Sequence, residues 1–336
     1  MLSHGAPHLE RREFITLLGG AAAAWPLAAR AQQANRIVRV GVLAPSFTPF
    51  NATSYQQDFV SELRQLGFSE GQNLSVDLRW ASQDARGPFP VAAELIRSKV
   101  DLIVVDGPEI VLQAAIAASR TIPIVMLATN YDPIERGYVN SLARPGGNIT
   151  GVFLRQPELA AKQVELLTQA FPDKTRLAIL WDTGSADQFS AAQRTARSLG
   201  LELRTLRLEN PPYDFDAAFQ TLVKDGPQVL LVLSSPLFTP HQPRIAELAI
   251  QHRLATMFIF KSYVVAGGLM SYGADNTAMR RLAAGYVAKI LQGTKPADLP
   301  IQLPTKFEMA VNLKTARAIG VTIPTAILLR ADEVIE

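Results

Sequence analysis

The stretch IVRVGVLAPSFTPFNATSYQQDFVSELRQLGFSEGQNLSVDLRW, residues 37–80, decides the fold class. Ile37 to Ala44 is a mostly apolar run of strand length, as a strand covered on both faces requires. Pro45 to Thr53 reads as a loop. Ser54 to Gly67 then sets Tyr55, Phe59, Leu63 and Leu66 at helical spacing with polar residues between them, so an amphipathic helix follows the strand. Leu74, Val76, Leu78 and Trp80 alternate with polar neighbours, which is the period of a second strand. A strand, a helix and a strand in this order make a βα unit, and repeated units of that kind build mostly parallel sheets.

Outward from this unit the alternation continues. Asp101 to Val105 and Ile122 to Leu127 read as strands, with a helix over Pro108 to Ser119 between them. After Asn148-Ile149-Thr150-Gly151 it restarts, with strands near Leu177 to Trp181, Leu201 to Leu208 and Gln228 to Ser234. Helices fall near Ala186 to Leu199, Phe215 to Lys224 and Gln242 to His252. A single large doubly wound sheet would give the same alternation. The late units, a long helix over Asp275 to Gln292 and a strand and helix over Phe307 to Ile319, have to be shared between the halves, and that argues for several crossings and a hinge. The expectation is an α/β protein of two doubly wound parallel-sheet lobes with a central cleft. One lobe takes residues 36–150 with about 268–300, the other 151–267 with about 301–336.

Residues 1–31 read as a removable export address. Arg11-Arg12 precede an apolar run too short to span a bilayer, and Ala29-Arg30-Ala31 gives the small-x-small pattern read by a signal peptidase. Arg11-Arg12 with Phe14-Ile15 resembles a twin-arginine signal, while Glu10 and Thr16 depart from the fuller pattern and leave the general secretory route open. No cysteine follows the run, which excludes lipid attachment there. Cleavage leaves about 305 residues, enough for two ordinary domains, and the product is expected to be periplasmic and soluble.

The chain has no cysteine at all, so it has no disulfide framework, thiolate nucleophile or zinc-thiolate site. A net charge of +3 over 336 residues, without a long basic block, speaks against nucleic acid as a partner. Of the four histidines, only His241 and His252 lie outside the export segment, which leaves little for histidine-based catalysis. Neither a Gly-x-Gly-x-x-Gly turn nor a Gly-x-x-x-x-Gly-Lys phosphate loop is present. A Gly-x-Ser-x-Gly elbow and a His-Glu-x-x-His pair are missing too. No cofactor or metal is expected, and the protein reads as a binding protein, not an enzyme.

Several long motifs occur in order. They are Glu62-Leu63-Arg64-Gln65-Leu66-Gly67-Phe68 with Glu70-Gly71-Gln72-Asn73, then Ser141-Leu142-Ala143-Arg144-Pro145-Gly146-Gly147-Asn148-Ile149-Thr150-Gly151. Ala266-Gly267-Gly268-Leu269-Met270-Ser271-Tyr272-Gly273 and Lys295-Pro296-Ala297-Asp298-Leu299-Pro300 follow. Pro304-Thr305-Lys306-Phe307-Glu308, Asn312-Leu313-Lys314-Thr315-Ala316 and the tail from Leu328 to Ile335 complete the set. Nearly end to end, the chain resembles the exported substrate-binding proteins of ABC transporters of the tryptophan/tyrosine-binding type. That resemblance implies two α/β lobes joined by three crossing segments and closing on a small ligand. A membrane permease and its ATPase are the implied partners, and the receptor is expected to be a monomer. An exported sensory module would share the fold. Physically, most of these motifs are turns: Arg144-Pro145-Gly146-Gly147-Asn148 suits a tight turn before a crossing strand.

Ligand contacts are expected where a strand ends and its loop opens into the cleft. These positions are Ser46 and Phe47, Asp106 and Gly107, and Asn130 and Asp132 in the first half, with Asp182, Ser185, Ser234, Ser235 and Tyr263 in the second. Hydroxyls and free N–H groups at helix starts suit a carboxylate, and an aspartate suits an ammonium. Phe47, Trp181, Phe260 or Tyr263 would wall a flat apolar ligand. Helix capping or core packing explains each position equally well. The chain departs from the family pattern at Trp181-Asp182-Thr183-Gly184-Ser185-Ala186, at Lys261-Ser262-Tyr263-Val264-Val265 and at Phe153-Leu154-Arg155. The expected ligand is an aromatic amino acid or a related aromatic or keto carboxylate; fewer acids together with Lys261 and Arg155 favour an anion without an amino group, and surface placement of the two cations explains them equally well.

Overall fold

In a computed structural model, described for residues 36–45, 53, 55–81 and 86–336, two sheets account for the strands. Residues 1–31, expected from sequence to be an export address, lie outside the described residues, as do Ser46 and Phe47.

The first sheet has five strands in the order β2-β1-β3-β4-β5. They are β1 (Val38–Ala44), β2 (Leu74–Trp80), β3 (Leu102–Gly107), β4 (Ile124–Ala128) and β5 (Ile149–Phe153). Every pairing in it is parallel. Between β1 and β2 a π-helical segment (Tyr55–Val60) runs into α1 (Ser61–Gln65). Then α2 (Pro88–Arg97) and α3 (Glu109–Ala118) complete the βα units. Val40, Val42, Leu102 and Val104 face one helical layer with Tyr55, Phe59 and Leu63, while Leu43, Ile103 and Val105 face the other with Leu95 and Leu112. Such two-faced cover is why these strands read as near-continuous apolar runs.

The second sheet runs β12-β11-β10-β9-β8-β6-β7. Its first unit is α4 (Gln156–Ala170), β6 (Arg176–Asp182), α5 (Ala186–Ser198), β7 (Glu202–Leu208) and α6 (Phe215–Leu222). Next come β8 (Val229–Val232), α7 (Gln242–Gln251), β9 (Ala255–Phe258), α8 (Lys261–Val265) and β10 (Met270–Ala274). The chain returns to the first lobe for α9 (Asn276–Leu291), whose Met279, Ala283, Tyr286 and Val287 pack on the first sheet. It ends in the second with β11 (Phe307–Asn312), α10 (Leu313–Ile319), α11 (Thr325–Leu328) and β12 (Glu333–Ile335).

Two of the expected boundaries shift. Ile149–Phe153 pairs with β4 and so extends the first sheet past residue 150. Met270–Ala274 pairs with β9 and antiparallel to β11, so this stretch belongs to the second sheet and the change of lobe comes at Asp275. Alternating hydrophobicity announces a strand but not its neighbour, and that accounts for both shifts. Three segments cross between the lobes, and they lie together: Phe153 N–H donates to the Gln302 carbonyl, Gln302 N–H to Gly151, and Asp275 N–H to Lys306. At Gly151 the backbone has φ +137° and a Cβ would run into the Met126 carbonyl oxygen, so glycine is required in the middle of β5, where it pairs with Met126 of β4.

Candidate ligand cleft

The carboxyl ends of β3, β4 and β8 open onto a cavity of about 110 Å³ between the lobes. The first lobe contributes Tyr55, Trp80, Asp106, Thr129, Asn130 and Arg280. Facing them from the second are Ser234, Thr239, Gln242, Phe260 and Ser262.

Asp106 ends β3 and turns its carboxylate into this space. Tyr55, from the π-helical segment, donates its hydroxyl to Asp106 Oδ2 at 2.6 Å. Burial raises the Asp106 pKa above the usual carboxylate range, against the opposing pull of the Tyr55 hydrogen bond and the Arg280 charge. Burial, reinforced by the Asp106 charge, likewise lifts the Tyr55 phenol well above its ordinary value, so the phenol stays a donor. The Arg280 guanidinium sits 5.7 Å from the Tyr55 ring centre.

Arg280 is bound to Asp58: Nε and Nη2 both lie 3.1 Å from Asp58 Oδ2, and Thr277 Oγ1 donates to the same oxygen at 3.1 Å. A guanidinium has five N–H donors, and this pair uses only one edge of it. Asp58 and Arg280 balance each other, and among the described residues the Asp106 carboxylate makes no ion pair. A ligand ammonium supplies a counter-ion. For a ligand carboxylate, the remaining N–H groups of Arg280 and the hydroxyls of Thr129, Ser234 and Ser262 are the available donors, while the Thr239 hydroxyl donates to the Ser235 carbonyl at 3.3 Å. The Tyr55, Trp80 and Phe260 rings give the cavity its aromatic walls.

Asp106, Gly107, Asn130, Ser234 and the wall candidate Phe260, among the positions singled out from sequence, line this cavity; the other described ones do not. Asp132 closes a turn after β4, its Oδ1 accepting from Ile134 N–H at 2.8 Å and Glu135 N–H at 3.2 Å. Asp182 and Ser235 face the outer mouth of the cleft, where the Asp182 carboxylate is taken up by the Ser235 hydroxyl, by Ser185 Oγ at 3.2 Å and by Tyr213 at 3.4 Å. Ser185 also accepts from Asp182 N–H, which makes the pair a helix-start motif ahead of α5. Tyr263 is buried behind the cleft and stacked on Phe258 at 4.6 Å, and burial raises the pKa of its phenol. Trp181 stacks on Phe189 at 4.1 Å, away from the cavity. Tyr55, Trp80, Arg280, Thr239 and Gln242 were not singled out from sequence. Arg280 follows the Asp275 cap by five positions on α9, and that late return to the first lobe was the only sequence signal for it.

The cations that favoured a ligand without an amino group are both paired elsewhere. Lys261 bonds Glu333 at 3.1 Å and Glu308 at 3.4 Å, and Arg155 bonds Glu158 at 3.1 Å. Neither lines the cavity. Among the described residues no group of three or more His, Cys, Asp or Glu is placed to hold a metal ion, and no helix is long and apolar enough to cross a membrane.

Comparison with known proteins agrees with this architecture. The chain is 25% identical over 269 residues to a tyrosine-binding protein of Clostridioides difficile, covering 79% of this chain and 76% of the relative. A conserved domain protein from Vibrio cholerae superposes with a TM-score of 0.79 at 25% identity, over 89% of this chain and all of the other. An ABC domain from Streptococcus pneumonia, solved in complex with L-Trp, gives 0.78 at 24% identity with the same coverage. The family model for ABC transporter substrate binding protein matches residues 51–335 of the chain. This chain therefore belongs to the family of ABC transporter substrate-binding proteins.

Proposed function

We propose that this substrate-binding protein is a periplasmic receptor for an aromatic amino acid, which it encloses between its lobes and delivers to a membrane permease driven by an ATPase. The observation that carries the amino-acid reading is the juxtaposition, in one cavity, of an Asp106 carboxylate that makes no ion pair among the described residues with the Arg280 guanidinium, between the Tyr55, Trp80 and Phe260 rings. A zwitterion with a flat side chain matches all three features. The tyrosine-binding relative and the L-Trp complex point the same way. Residues 1–31 would supply export, with cleavage ahead of Gln32, and the receptor would act as a monomer.

Function is binding and closure: the ligand stabilises the closed form because it touches both lobes at once. The test is a thermal-shift panel on the chain from Gln32, with L-tryptophan, L-tyrosine and L-phenylalanine set against indole-3-pyruvate and phenylpyruvate. A saturable rise confined to the amino acids, with the compound recovered unchanged, supports the proposal. A rise with the keto acids alone overturns the role given to Asp106.

A further inference from the structure

Gln188, which does not line the cavity, holds an element of each lobe. It lies in the first turns of α5 on the face that carries Ala191 and Ala192 into the core, and it is 2% exposed. Its carboxamide pairs with both backbone groups of Ser234: Oε1 accepts from Ser234 N–H at 3.2 Å, and Nε2 donates to the Ser234 carbonyl at 3.3 Å. The side chain thus imitates a neighbouring strand at the point where β8 has ended. Nε2 also donates to Asn130 Oδ1 at 2.8 Å, and Asn130 Nδ2 donates to the Ser234 carbonyl at 3.2 Å. Asn130 belongs to the first lobe, in the loop after β4, while Gln188 and Ser234 belong to the second. The ring of amides is therefore closed only when the lobes are together.

Local backbone chemistry favours this use of Asn130. It has φ +65°, a conformation that asparagine tolerates better than other residues with a Cβ. In that conformation its side chain reaches across to the second lobe. Every group in the ring is neutral and none titrates near neutrality, unlike the ion-paired contacts that usually join mobile surfaces.

We infer that Gln188 is a positioning residue for ligand capture: with Asn130 and the Ser234 peptide it forms a neutral latch that holds the lobes closed without ligand and fixes two cavity-lining groups. The latch biases a two-state closure, so it acts on affinity through the population of the binding-competent form. Ligand capture here rests on the reading of the cavity as the ligand site, whereas lobe closure can be measured without any ligand.

Because the chain has no cysteine, Arg97→Cys on α2 and Thr221→Cys on α6 give one exposed label site on each lobe. Electron–electron resonance distances between nitroxides at these sites report closure in the ligand-free protein. We expect a substantial short-distance population that Gln188→Ala and Asn130→Gly each reduce about tenfold relative to the open form, as loss of one or two buried hydrogen bonds implies. Asn130→Gly keeps the left-handed backbone and perturbs the latch from the other lobe. The double variant should show little more than either single one, since both break one ring. Raising the salt should leave the distances unchanged. The dissociation constants of L-tryptophan or L-tyrosine should rise by the same factor, while a purely structural role would lower the thermal midpoint without moving the distances. A ligand-free wild type with only the long distance, or variants that leave the distribution unchanged, would overturn the latch. If neither amino acid binds, the ligand reading fails and the distances still decide the latch.

Discussion

Asp106→Asn removes one charge from the cavity and keeps its shape. The asparagine carbonyl oxygen can still accept the Tyr55 hydroxyl, which now sits 2.6 Å from Asp106 Oδ2, so the wall around it has no reason to move. What disappears is the partner of the ligand ammonium. Removing one member of a hydrogen-bonded charge pair in an enclosed site costs about 2–5 kcal/mol, or roughly thirtyfold to several thousandfold in Kd. The burial that raises the Asp106 pKa also means the folded protein bears a cost for ionising it. An acid with a raised folded pKa lends stability at low pH that is lost as pH rises through that pKa, so at neutral pH Asp106→Asn should melt at or above the wild-type temperature. Isothermal titration with L-tryptophan and with indole-3-pyruvate separates the effects. Loss of amino-acid affinity, with keto-acid affinity kept or improved and folding intact, is the expected result. Amino-acid binding within about threefold of wild type would refute the reasoning, because a difference that small lies below the range for a buried charge pair.

Amino-acid affinity should weaken on acidification and do so above the usual carboxylate range, since the ammonium binds the ionised carboxylate and burial raises its pKa; a Kd series against pH should show this in wild type and not in Asp106→Asn. Arg280→Met leaves Asp58 buried and unpaired, and urea unfolding should show a loss of about 3–5 kcal/mol. The double variant Asp58→Leu with Arg280→Met should recover most of that stability, because no isolated charge remains. Gly151→Ala forces a Cβ against the Met126 carbonyl at positive φ, and the yield of folded protein should fall sharply in a solubility assay.

Periodicity in the sequence carried the βα alternation and the division into two lobes, because parallel strands covered on both faces must be apolar nearly throughout. It could not say which sheet Met270–Ala274 joins, since pairing with β11 depends on a partner more than thirty residues on. Strand ends pointed to Asp106, Asn130 and Ser234. The same rule also named Asp182 and Ser185, whose side chains satisfy each other at the start of a helix. A side chain that caps and one that binds are the same residue type in the same place. Tyr55 looked like a core position on an amphipathic helix, and it is buried, yet its hydroxyl reaches Asp106. Arg280 lay outside the strand-end rule, because it stands in the second turn of α9 and not in a loop.

A crystal structure of the chain from Gln32 with bound L-tryptophan tests the central claim most directly. The account predicts the ligand between the lobes, its ammonium about 3 Å from the Asp106 carboxylate, its carboxylate on Arg280 and the facing hydroxyls, and its ring among Tyr55, Trp80 and Phe260. A ligand seated at the outer mouth beside Asp182 and Ser235, or one whose ammonium points away from Asp106, would contradict it.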